Sequence, residues 1–306
     1  MQRENMEILV LGGTGMLGHK MFQVLRRQFP ETCCTIRGSI LDAQLENIEL
    51  FQAGNVCEHV DPLDPTAFRE FLLGHKPKVI VNCVGIVKQR PEAQEALPSI
   101  LMNSLLPHQL AAICKSWGGR LIHISTDCVF SGRCGNYVET DLTDAEDLYG
   151  RTKALGEPLP ENALTLRTSI IGRELFHFQS LLEWFLAQDG ARVRGFTRAM
   201  YSGTTTNQLA TVVGNVIANF PFLAGLYQVT GPTVSKLELL SLLRDAYELD
   251  VEIIPDNEYA CYRSMNGEKF RSATGYMSPG WPALVAGLAN DETPYEQWRT
   301  LKNEVL

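Results

Sequence analysis

The stretch that decides the fold is EILVLGGTGMLG, residues 7–18. An apolar run ends in glycines at positions 12, 15 and 18, and a helical pattern of apolar residues follows. A side chain at Gly12 would obstruct a tight turn, one at Gly15 would block the approach of a pyrophosphate to the backbone, and one at Gly18 would hold helix and strand apart. Because a strand precedes the glycines and a helix follows them, the stretch predicts a dinucleotide-binding βαβ unit.

Short β-branched runs alternate with helix-length segments up to about residue 172, the order typical of a parallel sheet covered by helices on both faces. The strand-like runs are Glu7 to Leu11, Cys33 to Arg37, Lys78 to Val84, Arg120 to Ser125 and Leu164 to Ile171. We therefore predict an α/β protein, a Rossmann-type doubly wound parallel sheet with a smaller C-terminal substrate-binding lid. The expected division is a cofactor-binding Rossmann domain at 1–172 and a mainly substrate-binding region at 173–306, with an approximate boundary and interleaving elements allowed.

Composition argues against several classes of partner. With 27 basic and 35 acidic residues the formal charge is -8, which argues against nucleic acid or an anionic membrane surface as the main partner. No apolar run approaches the roughly 20 residues of a membrane-spanning helix, so we expect a cytoplasmic protein without a membrane partner. The eight cysteines form no CxxC pair, which favours reduced structural thiols, and we expect no metal site.

The end of the second strand bears on the choice between the two nicotinamide cofactors. An acidic residue there would bind the adenosine ribose 2′-hydroxyl, but Arg37 and Ser39 stand at the position instead. The Arg37 guanidinium suits a 2′-phosphate, so NADP(H) is the preferred cofactor and NAD(H) stays open.

Two further segments complete the predicted cofactor site. Asp61 and Pro62 resemble an adenine-binding turn after the third strand, and small residues at the end of the fourth strand would let a cofactor lie against the backbone. The contacts predicted from these segments, the glycine turn and the second strand are Gly12, Thr14, Gly15, Met16, Leu17, Gly18, Arg37, Asp61, Pro62, Cys83, Val84 and Gly85.

A phenol and an ammonium group lie one helical turn apart at Tyr149 and Lys153. No other tyrosine in the sequence has a lysine four residues on. A lysine charge close to a phenol favours the phenolate, so we expect the pKa of Tyr149 to fall below its ordinary value of roughly 10. Such a tyrosine can exchange a proton with a carbinol oxygen while hydride moves to or from a nicotinamide.

Hydroxyl groups end the strand that precedes this tyrosine. The carboxyl end of a parallel strand faces the ligand crevice, so Ser125 or Thr126 is expected to hydrogen-bond a substrate oxygen. His123 alternates with core positions in the same strand, which favours a buried histidine over a catalytic one.

The motifs together resemble those of the extended short-chain dehydrogenase/reductase family, and within it the dTDP-4-dehydrorhamnose reductases and related nucleotide-sugar 4-ketoreductases. The matching pieces are GGTGMLG at 12–18, NCVG at 82–85, Asn103 before an apolar helix, STDCVFSG at 125–132, YGRTKALGE at 149–157 and LRTSIIG at 166–172. The resemblance implies a catalytic triad of Thr126, Tyr149 and Lys153, with Lys153 also holding the nicotinamide ribose. It also implies that Asn103 and Tyr149 belong to the cofactor site.

One position bears on the reaction within this family. Related 4,6-dehydratases typically carry an acidic pair after the strand-end threonine, whereas here Asp127 is followed by Cys128. The resemblance therefore implies NADPH-dependent reduction of a nucleotide-linked 4-keto-6-deoxy sugar, for cell-surface polysaccharide precursors, rather than dehydration. The segments at 144–148 and 266–281 depart from the rhamnose enzymes, so a UDP-2-acetamido-2,6-dideoxy-4-ketohexose is an equally compatible substrate.

A substrate diphosphate needs cations, and Arg194 and Arg198 are the arginines we expect to supply them. Two other classes of function stay open, another epimerase or reductase of the same fold and a non-catalytic NADP-binding regulatory subunit similar to the one that associates with methionine adenosyltransferase. The expected partner is the nucleotide-sugar substrate, and a homodimer is compatible with the sequence.

Overall fold

A computed structural model describes residues 6–52, 54–88 and 91–303 of the chain. The strands in these ranges are β1 Ile8–Leu11, β2 Cys33–Thr35, β3 Val56–Cys57, β4 Val79–Asn82, β5 Arg120–Thr126, β6 Ala163–Thr168, β7 Ile170–Ile171, β8 Arg192–Tyr201, β9 Thr204–Thr205, β10 Gly225–Gln228, β11 Val234–Ser235 and β12 Glu252–Tyr262. The helices are α1 Met16–Gln28, α2 Glu49–Gln52, α3 Pro65–His75, α4 Ala96–Ser99, α5 Leu106–Lys115, α6 Leu148–Leu155, α7 Leu181–Leu186, α8 Thr206–Asn219, α9 Lys236–Ala246, α10 Glu268–Thr274, α11 Trp281–Ala289 and α12 Tyr295–Asn303. A π-helical segment, Ile100–Leu105, joins α4 to α5.

Seven parallel strands form the central sheet, in the order β3-β2-β1-β4-β5-β6-β10. The strand order reverses between β1 and β4, where Leu11 pairs with Asn82 at the carboxyl ends of both strands. In such sheets a ligand binds in the crevice outside this reversal point. The order and direction of the strands confirm the predicted doubly wound α/β fold.

The two faces of the sheet have separate apolar cores. Ile8 and Val10 of β1 pack in a cluster with α1 and α8, whereas Leu9 and Leu11 pack in a second cluster with α3 and α5. Successive side chains of a strand point to opposite faces, so an uninterrupted apolar run is what a strand covered on both faces requires. This burial explains why residues 8–11 carry no polar side chain.

The chain crosses the predicted boundary at residue 172 and then returns to the central sheet. Gly225–Gln228 pairs in parallel with β6, with Leu226 beside Thr165, and α8 packs in the same core as α1. Residues 206–228 therefore belong to the Rossmann half rather than to the lid in which the sequence placed them. Edge pairing with β6 depends on tertiary contacts, which no local sequence pattern reveals.

The lid is built from a small sheet and three helices that follow β7 in the chain. A three-stranded sheet in the order β11-β8-β12 packs with α7, α9 and α11 around its own apolar core, which includes Phe185, Leu239 and Trp281. β8 pairs with β11 in antiparallel fashion, with Tyr201 opposite Val234. This pairing places the start of α9 next to the end of β8, a juxtaposition that shapes one wall of the site.

The C-terminal segment folds back onto α1, directly behind the glycine turn. The Nδ1 atom of His19 lies 2.8 Å from the Gly15 carbonyl oxygen and its Nε2 atom lies 2.9 Å from the Tyr295 hydroxyl. A carbonyl oxygen can only accept a hydrogen bond, so Nδ1 carries the proton and donates to it, and Nε2 accepts from the Tyr295 hydroxyl. Burial lowers the pKa of His19 to about 4, which keeps this arrangement neutral at pH 7. Beside it, Lys20 and Asp291 form a buried ion pair at 2.6 Å.

Candidate active site

A cleft of about 400 Å³ opens at the carboxyl ends of the central strands, between the glycine turn and the lid. Its walls combine the glycine turn, the ends of β4 and β5, the start of α6 and parts of the lid. The lining residues used below are Gly15, Met16, Leu17, Cys83, Val84, Gly85, Lys88, Ser125, Thr126, Asp127, Cys128, Tyr149, Lys153, Ser169, Tyr201 and Lys236. The predicted cofactor turn and the predicted catalytic residues thus face one cleft.

The three glycines of the turn have the geometry that the sequence argument required. Gly12 has a φ of 82°, in the left-handed region that favours glycine, and a Cβ on Gly18 would lie 1.9 Å from the Gly12 carbonyl oxygen. At Gly15 a Cβ would meet no atom nearer than 3.4 Å, so this side of the turn is open to the cleft. The backbone is therefore accessible to a ligand at Gly15 and closely packed at Gly18.

Most of the other predicted cofactor residues also border the cleft. Met16 and Leu17 begin α1, and Cys83, Val84 and Gly85 follow β4. Thr14 is half-buried in the same turn but does not line the cleft.

Asn103 lies behind the cleft wall and does not line the cleft itself. Its side-chain amide donates to the Ile86 carbonyl oxygen at 3.0 Å and accepts from the Ile86 amide at 2.9 Å. A Cβ on Gly85 would lie 3.1 Å from the Asn103 Oδ1 atom. Asn103 therefore holds the loop after β4 in position, and its predicted contribution to the cofactor site is indirect.

Arg37 and Asp61 come together at the far end of the glycine turn. The amide of Val60 donates to the Ile36 carbonyl oxygen, and that of His59 donates to the Gly38 carbonyl oxygen, both at 3.0 Å. Arg37 is exposed at this edge, and Asp61 with Pro62 forms the turn beside it, where the Asp61 carboxylate accepts from the Leu63 amide. The structure thus places the predicted 2′-phosphate and adenine contacts side by side.

Thr126 and Ser125 end β5 with different partners. The Thr126 hydroxyl faces the cleft, donates to Asp127 Oδ1 at 3.1 Å and accepts from the Cys128 amide. The Ser125 hydroxyl donates to Glu157 Oε1 at 2.6 Å. Glu157 in turn accepts two hydrogen bonds from Arg167, so the Ser125 proton is engaged in a buried network, and its contact with substrate stays a prediction.

Tyr149 stands in the first turn of α6, which packs closely against the loop after β5. A Cβ on Gly150 would lie 2.2 Å from the Cys128 carbonyl oxygen, so the glycine lets the helix approach. Burial raises the pKa of Tyr149, and the neighbouring Thr126 hydroxyl opposes this rise only in part. The predicted lowering of the pKa is therefore wrong for the protein alone, and the phenol is protonated at pH 7.

Lys153 lies one turn further along α6, with its ammonium group buried. Its Nζ atom donates to the Ile124 carbonyl oxygen at 2.7 Å and lies 3.5 Å from His123 Nε2. Burial lowers the pKa of Lys153 to about 8, against the opposing influence of Glu157. His123 is fully buried next to Asn82, as the sequence indicated for a core histidine.

The two arginines predicted to bind a diphosphate lie outside the cleft lining. Arg194 is exposed on β8 and forms an ion pair with Asp256, while Arg198 donates to the Tyr262 hydroxyl at 3.1 Å. Both side chains alternate with the inward-facing Ala199 and Tyr201, which places them on the other face of the strand. The lysines that line the cleft are Lys88, paired with Asp147, together with Lys153 and Lys236.

Sequence reasoning missed Lys236 and Tyr201 as cleft residues, because the lid elements have no motif and their meeting depends on the β8 and β11 pairing. In the described ranges no cluster of three or more His, Cys, Asp or Glu side chains is placed to hold a metal ion. The same part of the chain includes no helix long and apolar enough to cross a membrane.

The RmlD substrate binding domain family model matches residues 6–266. The chain belongs to this family. A Streptomyces griseus dTDP-4-dehydrorhamnose reductase is 30% identical over 167 residues, which cover 53% of this chain and 48% of that protein. The Xenopus laevis methionine adenosyltransferase 2 subunit beta is 29% identical over 151 residues, 49% of this chain and 41% of the relative. The chain thus spans about half the length of the curated relatives it matches.

Solved structures of family members share the fold over nearly the whole chain. The dTDP-4-dehydrorhamnose reductase from Bacillus anthracis in complex with NADP superimposes with a TM-score of 0.75 at 18% identity, covering 93% of this chain and 98% of that one. A hypothetical dTDP-4-dehydrorhamnose reductase from Sulfolobus tokodaii superimposes with a TM-score of 0.74 at 22% identity, covering 90% of this chain and 98% of that one. At this identity the similarity establishes the extended Rossmann architecture.

Proposed function

We propose that this protein is an NAD(P)-dependent oxidoreductase that uses NADPH to reduce a nucleotide-linked 4-keto-6-deoxy sugar, a step toward cell-surface polysaccharide precursors. The observation that carries the proposal is the single cleft into which the open Gly15 backbone, Thr126, Tyr149 and Lys153 all face. The reductases among its relatives support the same reading of the site.

The residues of the turn fit a dinucleotide. The open side of Gly15 and the first amides of α1 offer hydrogen-bond donors to a pyrophosphate, and the helix dipole favours the negative charge there. Arg37 would bind a 2′-phosphate at the exposed edge, which favours NADP(H), with NAD(H) as a weaker ligand. When bound, the reduced cofactor supplies a hydride to the carbonyl carbon.

The chain's own residues would handle the proton. Thr126 would hydrogen-bond the carbonyl oxygen, and the protonated Tyr149 would give its hydroxyl proton to that oxygen as negative charge develops on it. The Lys153 ammonium group would stabilise the resulting phenolate and contact the cofactor ribose. A phenol that is protonated at pH 7 suits the reducing direction, because reduction consumes a proton.

The residue after Asp127 favours reduction over elimination of water. Burial raises the pKa of the Cys128 thiol to about 12, so this side chain is a neutral, weakly acidic thiol where a dehydratase carries a carboxylic acid. A second carboxyl group is therefore missing from this position of the strand end.

The proposed function is tested by NADPH consumption with a panel of enzymatically made dTDP- and UDP-linked 4-keto-6-deoxy sugars, including a UDP-2-acetamido-2,6-dideoxy-4-ketohexose. At least one nucleotide-linked sugar should be reduced, and the corresponding free sugar should not. Equal rates with the free sugar would remove a nucleotide site from the proposal.

A regulatory role is the second candidate, because several methionine adenosyltransferase 2 beta subunits match the chain about as well as the reductases do. A protein that binds NADPH tightly but reduces no member of the panel would favour this role. Reduction of a non-sugar ketone, or epimerisation of a nucleotide sugar, would instead assign the cleft to another reaction of the same fold.

Replacing Arg37 by aspartate is expected to reduce the preference for NADPH over NADH. Loss of a charge-assisted contact worth about 1.5–3 kcal/mol corresponds to a change of about 10- to 100-fold in the ratio of the two Kd values. Titration of nucleotide fluorescence measures both constants. Arg69→Asp, an equal charge change on the exposed surface of α3, is the control and should leave the ratio unchanged. A wild type that prefers NADH would show that Arg37 is only a surface residue.

We also propose a cytoplasmic homodimer. Cys34, Cys83, Cys114, Cys128, Cys134 and Cys261 are free thiols, which suits a reducing compartment. Leu97, Ile100, Leu101 and Leu105 recur at helical spacing with exposed side chains, an apolar stripe suited to a matching stripe on a second copy. Light scattering should give twice the chain mass, and Leu101→Glu with Leu105→Glu should give the monomer mass. A monomeric wild type would contradict the dimer.

A further inference from the structure

One wall of the cleft carries two polar side chains that the proposed proton transfer does not use. The Lys236 ammonium group lies over the ring of Tyr201, 4.0 Å from the ring centroid, and both residues line the cleft. The antiparallel pair of Tyr201 and Val234 fixes this juxtaposition, because Lys236 follows Val234 by two residues at the first position of α9. Trp281 packs on Tyr201 at 5.4 Å between ring centroids and supports the ring from the lid core.

The Tyr201 hydroxyl is buried without a partner, and the half-buried Lys236 has only the Tyr201 ring as a contact among the described residues. The Tyr201 side chain is 5% exposed, and although Ser169 lies near its hydroxyl, that hydroxyl has no hydrogen bond of normal geometry. Lys236 has no carboxylate within ion-pair distance among the described residues. A buried, unpaired hydroxyl destabilises the fold, so its retention inside a cleft points to a ligand that completes its hydrogen bonding.

The position of Lys236 also opposes helix stability. A cation in the first turn faces the positive end of the helix dipole, where acidic residues are favoured. Ser235 and Glu238 already satisfy the first amides of α9 through a capping box. The lysine therefore adds nothing to the cap, and departures from local preference of this kind concentrate at functional sites.

Asp127 limits what these two donors can bind. Its carboxyl group is 6% exposed, follows Thr126 directly and interacts electrostatically with both Tyr201 and Lys236. The Asp127 carboxyl oxygen atoms accept hydrogen bonds that a substrate diphosphate cannot donate, whereas a sugar hydroxyl can donate to them and accept from the lysine and the tyrosine. The Asp127 carboxyl group lies beside the hydroxyl of Thr126, which is expected to bind the reacting carbonyl oxygen.

We propose that Lys236 and Tyr201, together with Asp127, bind the hydroxyl group on the sugar carbon adjacent to the reduced carbonyl and so determine substrate specificity. In a 4-keto-6-deoxy sugar this is the 3-hydroxyl, since carbon 5 carries the methyl group. The inference rests on the proposed function and adds residues from the lid, outside the motifs that identified the cofactor turn and the proton donor.

The test measures kcat/KM for dTDP-4-keto-6-deoxyglucose and for its 3-deoxy analogue with the wild type, Lys236→Met and Tyr201→Phe. For a charge-assisted hydrogen bond, Lys236→Met should lower kcat/KM for the full sugar about 10- to 100-fold, chiefly through KM. On the 3-deoxy analogue the same variant should match the wild type within about twofold, since the contact that it removes is already absent. Tyr201→Phe should behave likewise with a smaller loss.

The chain offers a matched control outside the cleft in Lys269, which is exposed, and the half-buried Tyr227, with the lysine 4.5 Å from the ring centroid. Lys269→Met and Tyr227→Phe should leave kcat/KM for both sugars and the Kd for NADPH unchanged. Lys236→Met should also keep the wild-type Kd for NADPH. Equal losses by Lys236→Met on the full sugar and on the 3-deoxy analogue would overturn the inference while leaving the proposed function intact. A wild type that binds NADPH and reduces neither sugar would instead contradict the proposed function, and the inference with it.

Discussion

Tyr149→Phe is expected to lower kcat by about 10²- to 10⁴-fold on the true substrate, the range for loss of a positioned general acid. The phenol lines the cleft beside Thr126, and burial keeps it protonated, so the substitution removes the proton that the reduced oxygen needs. The change deletes one hydroxyl group and leaves the glycine turn and Arg37 untouched. Steady-state kinetics with saturating NADPH gives kcat, and fluorescence titration should show an unchanged NADPH Kd.

The control for this variant is Tyr262→Phe, because the Tyr262 hydroxyl accepts a hydrogen bond from Arg198 outside the cleft. Its loss should leave kcat within about twofold of the wild type, as for a surface substitution. Full turnover by Tyr149→Phe would mean that another group donates the proton. A weakened NADPH Kd in Tyr149→Phe would indicate that the tyrosine holds the cofactor rather than completing the chemistry.

The features that the sequence predicted correctly depend on local backbone geometry. The left-handed conformation of Gly12 and the close contact at Gly18 follow from seven consecutive residues, so spacing alone was enough to place the turn. The same holds for Tyr149 and Lys153, since one helical turn brings both side chains to the cleft. Features of this kind depend on neighbouring residues in the sequence and not on tertiary contacts.

The features that the sequence placed wrongly depend on partners distant in the chain. Ser125 or Thr126 was expected to bind substrate, but the Ser125 proton goes to Glu157, which Arg167 from a later strand also binds. Arg194 was expected at the diphosphate, but strand alternation in β8 sends it outward to Asp256. No periodicity within a ten-residue strand reveals which of its faces a lid will turn toward the cleft.

The pKa of Tyr149 illustrates a different limit. The four-residue spacing placed a lysine one helical turn from the tyrosine, yet the sequence could not show that burial raises the pKa of the phenol. Lys153 itself is buried, donates to the Ile124 carbonyl oxygen and has a lowered pKa. Burial in this cleft therefore works against both charged forms, the phenolate and the ammonium ion, in the protein alone.

Lys153→Met should lower kcat by an amount comparable to Tyr149→Phe, about 10²- to 10⁴-fold, because the phenolate left after proton transfer loses its stabilising charge. Unlike the tyrosine variant, it should also raise the NADPH Kd, since the ammonium group would contact the ribose. Methionine approximates the length of the lysine stem, so the packing of α6 should persist, and a thermal melt checks this directly. Lys269→Met is the matched control on the surface and should change neither constant.

The same lysine gives a pH dependence whose sign follows from its burial. Its pKa is lowered to about 8, so the free protein carries the ammonium charge below that pH and loses it as pH rises through about 8. The cofactor is anionic, and the wild-type NADPH Kd should therefore increase between pH 7 and pH 9, by up to the factor that Lys153→Met costs at pH 7. The variant has no such group and should bind with less pH dependence over that range. Parallel pH profiles for the two proteins would show that Lys153 does not contact the cofactor, whereas converging Kd values at pH 9 would identify its charge as the contribution that is lost.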